Sequence, residues 1–338
     1  MPTFIQKLSH GNAASYFSTL AREPHVVFLD SADRKHPGAR YSFIAWDPVE
    51  VITIEDCGPK NPFVHLQSRI DHWNKKLKPE HNPGIPPFQG GAAGLFSYDL
   101  GRALEKLPNT ATSSDTPDLA IGIYNKVIAI DHETDEAWLI SHGTKATLPE
   151  TASLKPQTSS LTWEAQFSKD AFKARVARVI EYIRAGDIFQ ANISQRFTAA
   201  LPEEFDSAAH YLHLREINPA PFAGYMNLGD TQISSASPER FLKVTDKQVE
   251  TKPIKGTAPA HTDPKILLSS EKDRAENIMI VDLLRNDLSK VCEIDSIEVS
   301  KLCALETFKG VHHLVSTVTG TLKTPKYRNI KRYPGSRH

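Results

Sequence analysis

Gly186-Asp-Ile-Phe-Gln-Ala-Asn-Ile-Ser-Gln-Arg-Phe197 is the stretch on which the reading of this chain turns. From Ile188 to Phe197 it alternates, with Gln190, Asn192, Ser194 and Arg196 on one side and Phe189, Ala191, Ile193 and Phe197 on the other. That is the period-two pattern of a strand. The polar side carries mostly uncharged hydrogen-bonding groups, which suits either water or a polar pocket. Just upstream, Ser168 is a good N-cap, and Phe167 and Phe172 sit at the two positions of a hydrophobic staple. Phe172, Val176, Val179, Ile180 and Ile183 then follow helical spacing until Gly186 ends the helix.

Downstream, Thr231–Ala236 and Val249–Thr251 read as strands. Glu271–Val291 reads as a helix that is apolar nearly all round (Ile278, Met279, Ile280, Val281, Leu283, Leu284, Leu288). Such a pattern predicts burial, so Glu276, Asp282, Arg285, Asn286 and Asp287 on it need partners. Upstream, residues 142–162 are rich in Thr, Ser, Pro and Lys and read as a linker. Before them, strand-like runs (His25–Leu29, Tyr41–Ala45, Val49–Ile54, Lys126–Ile130) alternate with Pro/Gly turns, an antiparallel-rich pattern. The expected division is a first domain over 1–145, a linker over 146–164, a second domain over 165–322 and a basic tail over 323–338. No internal repeat is visible.

With 338 residues the chain is long enough for two ordinary domains. Forty basic residues against forty acidic ones leave no net field, which argues against nucleic-acid or membrane partners. Cys57, Cys292 and Cys303 match neither a disulfide framework nor a zinc spacing and suggest a reducing cytoplasm. No apolar run has the length of a membrane span, and Met1–His10 lacks the apolar core of a signal peptide.

Several segments converge on one family. They are the 186–197 stretch, Asn218-Pro-Ala-Pro-Phe222, Ser237-Pro-Glu-Arg-Phe241 and Lys252-Pro-Ile-Lys-Gly-Thr257, followed by Arg274–Asp287 and Val311-His-His-Leu-Val-Ser316. In this order they resemble the chorismate-utilising enzymes: anthranilate synthase component I, aminodeoxychorismate synthase component I, and the isochorismate and salicylate synthases. Phe28-Leu-Asp-Ser31, Arg40-Tyr-Ser-Phe43 and Gly90–Asp99 resemble that family's first domain, so the likeness covers about residues 12–322. It implies an α+β fold like that of anthranilate synthase component I, with two packed antiparallel sheets and peripheral helices.

The resemblance also implies roles. Chorismate must lose a ring hydroxyl, a poor leaving group that needs an acid, and Glu239 takes that place. Taken without the family, Glu239 reads as a turn residue paired to Arg240, and Lys255 as a turn lysine between Pro253 and Gly256. The aminodeoxychorismate branch carries Lys where anthranilate synthases carry Ala. There the amine attacks ring carbon 2 as hydroxyl leaves carbon 4, and ammonia entering at carbon 4 then expels it. Attack requires a neutral amine, which partial desolvation favours. Sixteen residues of separation predict Glu239 and Lys255 on successive strand segments. Gln190 stands where isochorismate and salicylate synthases carry a water-activating Lys, and an amide is no base. Gly256 and Thr257 would bind a substrate carboxylate, His313 would lie near the ring, and Glu276 would hold Mg²⁺. Otherwise Glu276 reads as a helix N-terminal charge and His313 as a satisfied core residue. Ser31, Arg40, Tyr41, Ser42, Pro221, Phe222 and Ala223 match segments that hold tryptophan in the family. The implied partners are chorismate and a glutamine amidotransferase subunit that delivers ammonia.

Two departures stand out. The family reads close to Gly-Thr-Arg-Pro-Arg where this chain has Gly256-Thr-Ala-Pro-Ala260, so two cations are missing. After Leu322 the family's Gly-Ala-Pro-Lys motif, a carboxylate-holding Arg and a second pair of acidic metal ligands are absent. Residues 323–338 carry basic residues and no acidic one. The expectation is therefore a C-terminally truncated enzyme of the aminodeoxychorismate branch with impaired activity. Anthranilate synthase component I, and an inactive remnant that keeps only tryptophan or partner binding, are the alternatives.

Overall fold

The computed structural model of the protein describes residues 1–9, 12–58, 60–106, 108, 116–150, 154–157 and 160–324. The first half contains β1 (Thr3–Leu8), α1 (Ala13–Leu20), β2 (Val27–Asp30), β3 (Tyr41–Ala45), β4 (Glu50–Thr53), α2 (Ile54–Cys57) and α3 (Pro62–Leu77). It continues with β5 (Gly91–Phe96), a 3₁₀ helix (Tyr98–Ala103), β6 (Leu119–Tyr124), β7 (Lys126–Asp131) and β8 (Glu136–His142). Then follow β9 (Glu164–Ala165), α4 (Lys169–Ala185), β10 (Phe197–Thr198), α5 (Ser207–Ile217), β11 (Phe222–Asn227) and β12 (Gln232–Ser237). The last elements are β13 (Lys243–Thr245), β14 (Gln248–Thr251), β15 (Ile254–Pro259), α6 (Pro264–Leu268), α7 (Glu271–Ser289), β16 (Glu298–Thr307) and β17 (Val311–Thr321). The fold is α+β and its sheets are antiparallel, as expected.

The larger sheet has seven strands in the order β1-β8-β7-β3-β2-β11-β12. Because β11 pairs with β2, placing Ala223 opposite Asp30, this sheet draws strands from both sides of the 146–164 stretch. That stretch is itself anchored, with Ala146, Leu148 and Leu154 packed on the sheet's core. One face is covered by α1 and α5. Asn12 caps α1 by accepting from the Ser15 N–H, which points Phe17 inward. Phe17 stacks on Phe28 at 4.8 Å and meets Tyr225 edge-on at 5.2 Å. All three are buried, each contributing about 1.5–3 kcal/mol by area. A three-stranded sheet, β4-β6-β5, packs with α3 over a separate core around Ile52, Leu66 and Ile121.

The second large sheet centres on β17. β14 and β15 pair along one edge of it and β16 along the other, with β13 outside β14. α7 lies across β15 and β17 and buries Val281 and Leu288.

Three expectations change here. The strand expected over 188–197 forms only at Phe197–Thr198, which pair with Glu164–Ala165. Alternation supplies a strand's faces but not its neighbour, and a strand without a hydrogen-bonding partner does not persist. α7 is not buried all round: Ile278 is exposed, and Asp282 and Arg285 pair with each other in solvent. Glu239 sits past the end of β12 in irregular chain rather than on a strand. By contrast α4 begins at Ser168, whose hydroxyl accepts from the Ala171 N–H, and ends at Gly186 with φ +84°. Among the described residues no helix is long and apolar enough to cross a membrane, and all three cysteines are buried thiols. Of the basic tail, residues 325–338 lie outside the described residues.

Candidate active site

The polar side chains gather along β15, where it runs beside β17 and beneath α7. Gly256 interrupts β15 with φ +81°, and the register slips there. Lys255 stands opposite Leu314 while Thr257 stands opposite His313. One extra residue on one strand is a β-bulge. A side chain at Gly256 would meet the Asp273 Cβ of α7 at 2.9 Å, so glycine is required both for the backbone angle and for the approach of the helix.

The side chain of Glu239 reaches back to this strand, where its Oε1 accepts from the Ile254 N–H at 3.0 Å. The Glu239 N–H in turn donates to the Ser237 hydroxyl. Arg240, the partner suggested by sequence proximity, instead pairs with Glu250. Lys255 follows Ile254 directly and is half-buried, and among the described residues no hydrogen bond or ion pair holds its amine. The next step along the strand brings Thr257, whose hydroxyl is 2.9 Å from His313 Nδ1. Burial holds the His313 imidazole below its ordinary value, against a backbone hydrogen bond at Gly256 and the charges of Glu239 and Glu306. Glu239, Lys255, Gly256, Thr257 and His313 therefore form one contiguous group.

Gln190 and Glu276 form a second pair, with the Gln190 amide donating to Glu276 Oε1 at 3.2 Å. Glu276 lies one helical turn after Asp273, the residue packed over Gly256, so α7 links this pair to β15. Among the described residues no three His, Cys, Asp or Glu side chains gather as a metal site. Glu276 offers one hard carboxylate of the kind Mg²⁺ accepts.

The residues that match the family's tryptophan-holding segments lie elsewhere, at the seven-stranded sheet. The Ser31 hydroxyl donates to the Tyr41 carbonyl at 2.6 Å, and the Ser31 N–H donates to the Ser42 hydroxyl at 3.1 Å. Arg40 is committed to Asp131 and Glu133. β11 sets Pro221, Phe222 and Ala223 beside these residues, and the N–H groups of Ala32 and Asp33 both donate to the Ala220 carbonyl. Arg40, Tyr41 and Phe222 line a cavity of about 620 Å³ that extends to Lys252 and Glu306 of the second sheet.

Sequence reasoning missed Glu306 and His36. The Glu306 carboxyl is held down at about 2 by the hydrogen bond from His36 and, against burial, by Lys252. Neither residue lies in a legible motif, and only the pairing of β16 with β17 sets Glu306 opposite His313.

A bulged strand carrying an amine, with a carboxylate reaching back to it and an imidazole on the neighbouring strand, lies under a helix bearing a further carboxylate. Residues 24–328 match the family described as chorismate binding enzyme, and the chain belongs to that family. It is 36% identical to aminodeoxychorismate synthase component 1 of Escherichia coli, over 95% of this chain and 76% of that protein. It is 32% identical to anthranilate synthase component 1 of Thermus thermophilus, over 96% and 76%. Among solved structures, anthranilate synthase component I of Streptococcus pneumoniae superposes with TM-score 0.69 at 29% identity, covering 85% of this chain and 70% of that one.

Proposed function

We propose that this chain is the chorismate-binding subunit of an aminodeoxychorismate synthase, forming 4-amino-4-deoxychorismate from chorismate and ammonia on the route to p-aminobenzoate. The observation that carries the reading is Lys255, whose amine is held by no partner among the described residues, set between the Glu239-bound Ile254 and the Gly256 bulge. The similarity to aminodeoxychorismate synthase component 1 proteins supports it. In this reading the Lys255 amine bonds to ring carbon 2 while the carbon–oxygen bond at carbon 4 breaks. Glu239 gives its proton to the departing hydroxyl, which leaves as water. Ammonia, from glutamine through a partner amidotransferase, then bonds at carbon 4 and the bond to Lys255 breaks. Gly256 and Thr257 hold a substrate carboxylate, and His313 lies against the ring. Gln190, lacking a basic nitrogen, leaves water unactivated at carbon 2. Glu276 would hold Mg²⁺, which when bound supplies charge neutralisation at a substrate carboxylate. A cytoplasmic setting belongs to the same proposal, as does tryptophan at the pocket lined by Arg40, Tyr41 and Phe222, testable by titration calorimetry with tryptophan.

The test is Lys255→Ala, assayed with chorismate, ammonium and Mg²⁺. Formation of 4-amino-4-deoxychorismate should fall about a thousandfold or more. Undiminished product would overturn the role of Lys255, and anthranilate as the wild-type product would replace this reading with that of an anthranilate synthase.

A further inference from the structure

His36 belongs to the loop between β2 and β3, on the seven-stranded sheet, yet its ring sits against the second sheet. It is buried. Its Nδ1 accepts from the Gly38 N–H at 3.0 Å, so the proton is on Nε2, and Nε2 donates to Glu306 Oε2 at 3.2 Å. The other carboxylate oxygen of Glu306 accepts from Lys252 at 2.6 Å. Held at both nitrogens, the His36 ring stacks on Phe308, with centroids 5.0 Å apart and planes within 19°. Phe308 in turn meets His313 edge-on at 5.1 Å and 71°. The His313 ring is thus bounded by the Thr257 hydroxyl at Nδ1 and by a two-ring wall, Phe308 from between β16 and β17 backed by His36 from the first sheet.

We propose that His36 is a positioning residue for His313. It acts through Phe308 to hold the imidazole at the orientation that the bulged strand presents to substrate. A ring against one flat neighbour slides and tips freely, whereas a stack pinned by two hydrogen bonds fixes the neighbour's plane. A displacement of an imidazole by about an ångström is enough to lower turnover without abolishing binding. The inference rests on the placement of His313 in the proposed reaction, but its first readout does not depend on activity.

The test uses the full chain with its histidines ¹³C-labelled at Cε1 and the His313 signal assigned through His313→Asn. Three variants are compared: His36→Ala, His36→Gln and His36→Phe. Gln keeps a donor for Glu306 without a ring, and Phe keeps the ring without the donor. Both keep the site filled, so the comparison survives if the alanine variant misfolds. The His313 signal should move or broaden in all three variants, least in the Phe variant, which keeps the stacked ring but not the two hydrogen bonds that pin it. With chorismate and ammonium, kcat should fall roughly tenfold with KM within about twofold in the Gln variant, and by less in the Phe variant. A His313 signal unmoved in folded His36→Gln would overturn the proposal. A signal that moves in a chain forming no product would uphold the strut and remove the functional reading instead.

Discussion

The seven-stranded and five-stranded sheets differ in how much of their surface they bury. In the first, α1 and α5 seal one face, and the aromatic cluster of Phe17, Phe28, Tyr211 and Tyr225 is continuous with the strands. Even its charges are enclosed. Asp30, fully buried, accepts from Arg215 Nε at 2.6 Å, from the Tyr211 hydroxyl at 3.0 Å and from the Ser42 hydroxyl at 3.2 Å. In the second, Leu302 and Val244 on its strands are 49% and 39% exposed and Phe241 reaches 71%, while α4, outside both sheets, has no buried residue and leaves Ile180 and Ile183 42% and 40% exposed. The candidate chemistry belongs to this thinner region. The difference is instructive: the tightly packed sheet supplies stability and lends a strut, while the loosely covered sheet carries the groups that must meet substrate.

Stability should divide along the same line, and mutations can break or sharpen the division. The largest effect is expected from Asp30→Ala, which strands Arg215 in the core and should cost about 3–5 kcal/mol in urea unfolding. Phe17→Ala should cost about 3–5 kcal/mol through the cavity it leaves, whereas Ile183→Ala on α4 should stay within about 0.5 kcal/mol. Equal losses at Phe17 and Ile183 would show that α4 is covered in solution and would end the contrast.

Acid should probe the two sheets in separate windows. Burial, with Arg34 nearby, pushes the His132 imidazole on the first sheet down from 6.5 to about 4. The unfolded chain therefore takes up this proton first, and the stability involved is whole above pH 6.5 and lost as pH falls toward 4. Glu306 on the second sheet is depressed from 4.5 to about 2. Its contribution is whole above pH 4.5 and lost as pH falls toward 2. His132→Asn should flatten the upper window of a stability–pH curve and Glu306→Gln the lower one. The smallest effect should be Asp282→Ala, which removes an exposed pair with Arg285 on α7, at about 0.5 kcal/mol or less by thermal melting.

Legibility followed the range of the forces involved. α4 was readable to the residue, because Ser168 and Gly186 act on backbone groups three or four positions away. β3 is readable because Tyr41–Ala45 is a short strand-like run set off by turn residues. The alternation over 188–197 predicts a strand that does not form along its length, since pairing is a property of two segments and only Phe197–Thr198 find a partner. The burial of α7 was overread: an apolar composition reports what a helix is able to bury, and only the packing against β15 and β17 decides which side does so. At the site, the residues in motifs (Glu239, Lys255, Gly256, Thr257, Glu276 and His313) were all visible in the sequence. His36, Lys252, Glu306 and Phe308 were not assigned any part in it.

What the sequence determined by itself was the family, the identity of the polar side chains and the helix that begins at Ser168. All of these depend on residue type and local spacing. Tertiary structure alone decided that Glu239 reaches the Ile254 N–H, that Gly256 slips the register so that Thr257 rather than Gly256 faces His313, and that a histidine of one sheet braces a ring of the other. Those contacts join positions 15, 56 and about 270 residues apart, and no pattern along the chain encodes a distance that only packing closes.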